Sequence, residues 1–221
     1  MSQPLLSACL LILGVGLVCL PSHRFFSSNT VWWSFSRILQ HERVTWRAGW
    51  HAHHAFDLIR AWAGIWVAKT GLLLFTYPNE VIALRVEYAA VALIGVIGSL
   101  FQLGCPERDN GMHAPVAYTA GLVLGIFAPA AAIPAILFGL ASAFAFRALP
   151  IYFVFMAALL GGFGVAFGYS KVLIAGGVMV VGIPVAASFL TRRKFVVRLP
   201  QRSLRERRVK GASRNPSLER G

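Results

Sequence analysis

Between Ala114 and Leu190 the chain carries two charges, Arg147 and Lys171, and is otherwise apolar, small or uncharged. A soluble fold of this size has no way to bury a stretch of that kind, whereas a lipid bilayer solvates it. Crossing the hydrocarbon layer takes about 20 mostly apolar residues per helix, so this stretch holds three or four spans. The rest of the chain agrees. Of 221 residues, 57% are hydrophobic and 13% charged, where roughly 25% charged is usual for a globular domain. The mean hydropathy is +0.66.

Prolines and glycines divide the apolar stretch, because the residue before a proline is pushed out of the helical region. Pro129 and Pro134, the Leu149-Pro150 step after Arg147, and the Gly168–Lys171 turn give spans near 114–129, 133–148, 150–168 and 172–190. The second is short, and merging it with a neighbour leaves three. Upstream, 60–77 and 81–103 read as two spans joined at Pro78-Asn79-Glu80, with a turn signal at Asn110-Gly111 beyond them. The run 5–20 lacks the basic flank of a signal peptide and reads as a retained membrane segment, though a short one. LSAC at 6–9 spells a lipobox, but too few residues precede it to form its apolar region.

The expected fold is therefore an all-α, polytopic transmembrane bundle of six or seven spans. It divides into an N-terminal membrane helix (1–20), an interfacial aromatic and histidine segment (21–58), the bundle (59–190) and a basic tail (191–221). Charge sets the orientation. Residues 191–221 hold eleven Lys or Arg and two acids, and residues 21–60 hold five Arg against Glu42 and Asp57. Basic segments stay on the cytoplasmic side. The reading is an integral protein of a plasma-type (inner) membrane, with the C-terminus and the 21–58 segment both cytoplasmic. Arg192, Arg193 and Lys194, directly after the last span, are expected to meet anionic headgroups. A tail with one aromatic and no fold of its own does not point to nucleic acid.

The densest polar stretch is WRAGWHAHHAFDLIRAW, residues 46–62. Trp46 and Trp50 suit the headgroup layer, where an amphipathic ring meets both phases, and are candidates for lipid or partner contact. At about 100° per residue, positions 46, 50, 53, 57, 60 and 64 share one helical stripe. His53 and Asp57, four apart, can meet, and such a pair handles protons. His51, His54 and Asp57 follow at three-residue steps and are the metal-ligand candidates, with His41 or His113 as completing ligands. The spacing matches no HExxH pattern, and no histidine falls in mid-span for a haem, so no cofactor is expected. A second ion-pair candidate joins Lys69 and Glu87. Counted from span ends at Tyr77 and Val81, they reach similar depth on helices joined by a short turn.

Three cysteines without a CxxC pair offer neither a disulfide framework nor a zinc site. No GxSxG, Walker lysine or acidic pair is present, and no catalytic residue is assigned. Gly121-x3-Gly125, Gly164-x3-Gly168 and Ala135-x3-Gly139-x3-Ala143 are spacings that let helices approach closely in lipid. These features point to a non-catalytic integral membrane subunit or scaffold of a larger complex, or a small transporter component. Its partners would be anionic lipids and other membrane subunits. The alternative is a membrane-embedded enzyme that uses the His/Asp cluster at 51–57 on a lipid-linked substrate.

Overall fold

The computed structural model describes residues 3–20, 30–34, 52–75, 79–103 and 112–200. Among them are seven helices: α1 (Gln3–Cys19), α2 (Ala52–Leu73), α3 (Glu80–Leu103), α4 (Val116–Ile126), α5 (Pro129–Phe146), α6 (Leu149–Ala166) and α7 (Lys171–Thr191). Four of these, α3, α5, α6 and α7, are long and apolar enough to cross a membrane. The apolar helices α1 and α4 are shorter, and α2 has the length but holds Asp57, Arg60 and Lys69. The expected span boundaries in the second half fall within a few residues of the observed helices. Proline explains this, since it starts α5 and α6 at their first or second residue, where its missing N–H costs nothing.

The bundle is helical as expected. Beside it β1 (Thr30–Ser34), β2 (Met112–His113) and β3 (Phe195–Pro200) form a small sheet in the order β1-β3-β2. β1 runs antiparallel to β3 from Thr30 opposite Pro200 to Ser34 opposite Val196. β2 runs parallel to β3, with Met112 opposite Phe195. The tail therefore begins as a strand, and residues 201–221 lie outside the described residues. VWW and FVV are β-branched and aromatic, which suits a pleated surface. Their pairing joins residues far apart in sequence, so no local periodicity announces it. α2 begins at Ala52, six residues before the boundary at residue 58.

The sheet defines one end of the bundle. β1 follows α1, β2 precedes α4, and β3 follows α7. Phe153 near the start of α6 packs its ring 5.5 Å from that of Phe195 in β3, which puts the α5–α6 turn at this end too. That turn and the end of α7 share a device. Arg147 and Arg192 are the C-caps of α5 and α7, each left-handed at φ 54°, and each places a cation at the negative end of a helix dipole. The opposite end holds the α2–α3, α4–α5 and α6–α7 turns. In the last of these Gly168 takes φ +69°, a conformation glycine adopts without a Cβ clash.

The helices pack as two groups. One is α1, α2 and α4; the other is α3, α7, α6 and α5, each against the next. Gly121 and Gly125 bring α4 onto α2, with Ile65 seated at Gly125. Gly139 faces Tyr152 across α5 and α6, with Ala135 and Ala143 buried along the same face. Gly168, by contrast, is in the turn and no atom lies near its absent Cβ, so Gly164-x3-Gly168 is not a packing pair.

α1 also approaches α2 closely. A Cβ at Gly14 would lie 2.6 Å from the Ala68 backbone nitrogen and 2.7 Å from the Gly64 carbonyl oxygen. Backbone atoms cannot rotate away. Gly14→Ala is expected to cost roughly 1–3 kcal/mol, as overpacking does, lowering the melting temperature in detergent. Gly16→Ala, where nothing lies within 4 Å, is the matched control and should melt like the parent chain.

Candidate functional site

A helix that ends inside a bundle leaves its last carbonyls without N–H partners, and where they are buried water is not there to replace them. α1 ends in this way. Leu17 would normally receive its hydrogen bond from residue 21, but residue 21 is proline and has no N–H. Arg60, one turn above Asp57 on α2, supplies the donors. Its Nη1 donates to Leu17 O at 2.9 Å and to Val18 O at 3.2 Å. Nε and Nη2 donate to Asp57 Oδ1 at 3.1 and 2.8 Å. The guanidinium carbon sits 5.0 Å from the centroid of the Tyr118 ring, within range for a cation–π contact. The Tyr118 hydroxyl donates to Val18 O at 3.0 Å, and Gln102 Nε2 donates to Leu20 O at 3.3 Å. Asp57 and Arg60 are each 3% exposed.

This cluster does two electrostatic jobs at once. Asp57 neutralises Arg60, three residues away on the same helix. The cation in turn faces the negative end of the α1 dipole. Chemically it is a clamp that joins α1, α2, α3 and α4 through one polar centre.

The same rule recurs elsewhere. Pro129 deprives Gly125 O of its donor at the end of α4, and Lys69 Nζ donates to that oxygen at 3.4 Å. Pro184 interrupts α7 and deprives Val180 O, and the buried Ser99 Oγ donates to it at 3.4 Å. The Gly125 and Val180 carbonyls each lie four residues before a proline. Gln3 Nε2 donates to Leu74 O, just past the end of α2, at 3.4 Å.

The expected site residues divide as follows. Trp46, Trp50 and His51 lie outside the described residues. His53 is in the first turn of α2, and its side chain also lies outside them. Asp57 was expected to meet His53, and the structure engages its Oδ1 with Arg60. His54 is half-buried on α2. Among the described residues no three His, Cys, Asp or Glu side chains come together in a way that could hold a metal. Arg192, Arg193 and Lys194 are exposed between α7 and β3.

The Lys69–Glu87 pair is not found: among the described residues the ion pair is Arg60–Asp57, and Lys69 turns to Gly125 O. The reason is twofold. α2 ends at Leu73 rather than Tyr77, so Lys69 lies ~6 Å from its helix end while Glu87 lies ~10 Å from the start of α3 at ~1.5 Å per residue. The carbonyl orphaned by Pro129 also competes for the ammonium group. Glu87 stays buried on α3 at 8% exposure.

Arg60 and Tyr118 were missed as functional residues. The Asp57–Arg60 spacing of three was visible in the stripe, and so was Pro21. Tyr118, 100 residues from Val18, carried no local signal. No protein-family model, curated protein or solved structure matches the chain.

Arg60→Met leaves a buried carboxylate and an orphaned carbonyl, and is expected to cost roughly 3–5 kcal/mol. Asp57→Leu with Arg60→Met removes the uncompensated charge but not the carbonyl, so thermal melting should recover only in part. At α7, Ser99→Ala should cost roughly 1–3 kcal/mol. In a Pro184→Ala background residue 184 regains its N–H, and the same serine change should then cost almost nothing. Equal cost in both backgrounds would show that the hydroxyl does not serve that carbonyl.

Proposed function

We propose that this chain is a non-catalytic integral membrane subunit or scaffold of a larger membrane complex. In this reading all seven helices sit in a plasma-type (inner) membrane, with the sheet end cytoplasmic. That end forms a platform that contacts anionic lipids and neighbouring subunits. The observation that carries the proposal is the sheet itself. It draws chain segments next to α1, α4 and α7 into one surface, and the exposed Arg147, Arg192, Arg193 and Lys194 belong to the same end. A layer of fixed backbone flanked by cations suits docking better than turnover. The positive excess of residues 191–221 supports the cytoplasmic assignment.

The clamp supports the non-catalytic reading as well. Asp57 Oδ1 accepts from Arg60 and the buried cation serves the end of α1, a structural role for both charges.

The test is purification in mild detergent or native-lipid discs, followed by mass spectrometry of bound proteins and lipids. The expected result is a fixed set of membrane proteins at constant stoichiometry. Replacing Arg192, Arg193 and Lys194 together with Gln should leave the melting temperature unchanged, since all three are exposed. It should weaken binding to phosphatidylglycerol vesicles by roughly 100-fold, at about 1 kcal/mol per basic residue. A chain that purifies alone, with lipid binding unaffected by the triple change, would refute the proposal.

A further inference from the structure

Glu87 is the acid the bundle buries without giving it a partner. It is 8% exposed, and among the described residues it has neither a hydrogen bond nor an ion pair. An ionised carboxylate in such a place is unfavourable unless something else pairs with it. It lines a cavity of about 160 Å³ at the tip of the α2–α3 hairpin, the end opposite the sheet. Glu80, Ala83, Leu84 and Glu87 form one wall, at the three- and four-residue steps that put them on one face of α3. Leu72, Leu73 and Phe75 form the other. Asn79 closes the tip, with its Oδ1 accepting from Val81 N at 2.8 Å.

The lining selects among cations. Calcium takes six to eight oxygen ligands, and magnesium a near-octahedral shell. Here the side chains supply two carboxylates and an amide oxygen already in use, with carbon elsewhere. The space exceeds the roughly 30 Å³ share of one water in the liquid and admits a small organic group. A small ammonium ion with methyl or methylene substituents matches both parts. Its charge pairs with Glu87, and its carbons meet the leucines and the Phe75 ring, a surface that favours cations over its face. Glu80, exposed at the first turn of α3, adds a second negative charge at the mouth.

We propose that the cavity between the end of α2 and the start of α3 binds a small organic ammonium ion paired to Glu87. Two sources carry that chemistry, the amine headgroup of a membrane phospholipid and a free amine in solution. The site stands apart from the platform at the other end and does not depend on its role.

The experiment uses the full chain in phosphatidylglycerol nanodiscs, which contain no amine headgroup. Ethanolamine and choline chloride are titrated calorimetrically, with sodium and magnesium chloride at matched ionic strength. One saturable ammonium per chain is expected. Glu87→Gln should weaken it roughly tenfold or more, as loss of a charge-assisted contact does. Ala83→Leu, which fills the cavity and keeps the carboxylate, should also abolish binding, and it carries the test if the Gln variant misfolds. In discs containing phosphatidylethanolamine, a raised apparent Kd for the free amine identifies the headgroup as the source. An unchanged Kd identifies the soluble amine. Both results support an ammonium site. The proposal is overturned by no saturable binding, by equal binding of sodium or magnesium, or by variants that bind like the parent chain.

Discussion

A helical carbonyl four residues before a proline has lost its donor, and where it is buried no water replaces it. That constraint organises this bundle. Leu17, Gly125 and Val180 stand four residues before Pro21, Pro129 and Pro184. Each receives a hydrogen bond from a side chain on another helix: Arg60, Lys69 and Ser99. Proline ends or interrupts helices cheaply, and at Pro129 and Pro184 the interruption becomes a point of attachment between helices. Prolines that weaken single helices thereby specify how the helices pair.

The constraint also explains why α2 is the least apolar helix of the bundle and yet central to it. Arg60 and Lys69 are both on α2, nine residues apart, and they serve the ends of the two short helices packed against it. A charge in a membrane helix is commonly a sign of transport or catalysis. Here both cations have backbone partners, and the acid beside Arg60 balances its charge. Glycine completes the arrangement. Gly14, Gly64, Gly121 and Gly125 let α1 and α4 approach α2 closely enough for its polar side chains to reach those carbonyls. Close packing and polar satisfaction are thus two sides of one geometry.

The two ends of the bundle differ in kind. One carries a sheet, left-handed arginine caps and exposed cations. The other carries turns, a buried glutamate and a cavity. In an antiparallel bundle the helix connectivity alone would leave the ends similar. The difference comes from where three short strands converge, and from the burial of Glu87 beneath the hairpin tip rather than against Lys69.

The long apolar segments, the proline and glycine turns that bound them, and the basic excess after Thr191 were legible in residue order. Each is a local property: apolar length sets what a bilayer solvates, and proline chemistry sets where a helix stops. The orphaned carbonyls were legible too, because a proline marks the residue four before it. Their donors were not. Tyr118 reaches Val18 and Ser99 reaches Val180 across roughly a hundred residues of chain, and Lys69 chose Gly125 over Glu87 because of helix ends and facing directions that residue order does not encode. The sheet was hidden for the same reason, since β1 and β3 lie at opposite ends of the chain. Sequence determined which backbone groups needed partners, because that need is written in single residues. Tertiary structure decided which side chains met the need, because reach and direction exist only once helices are packed.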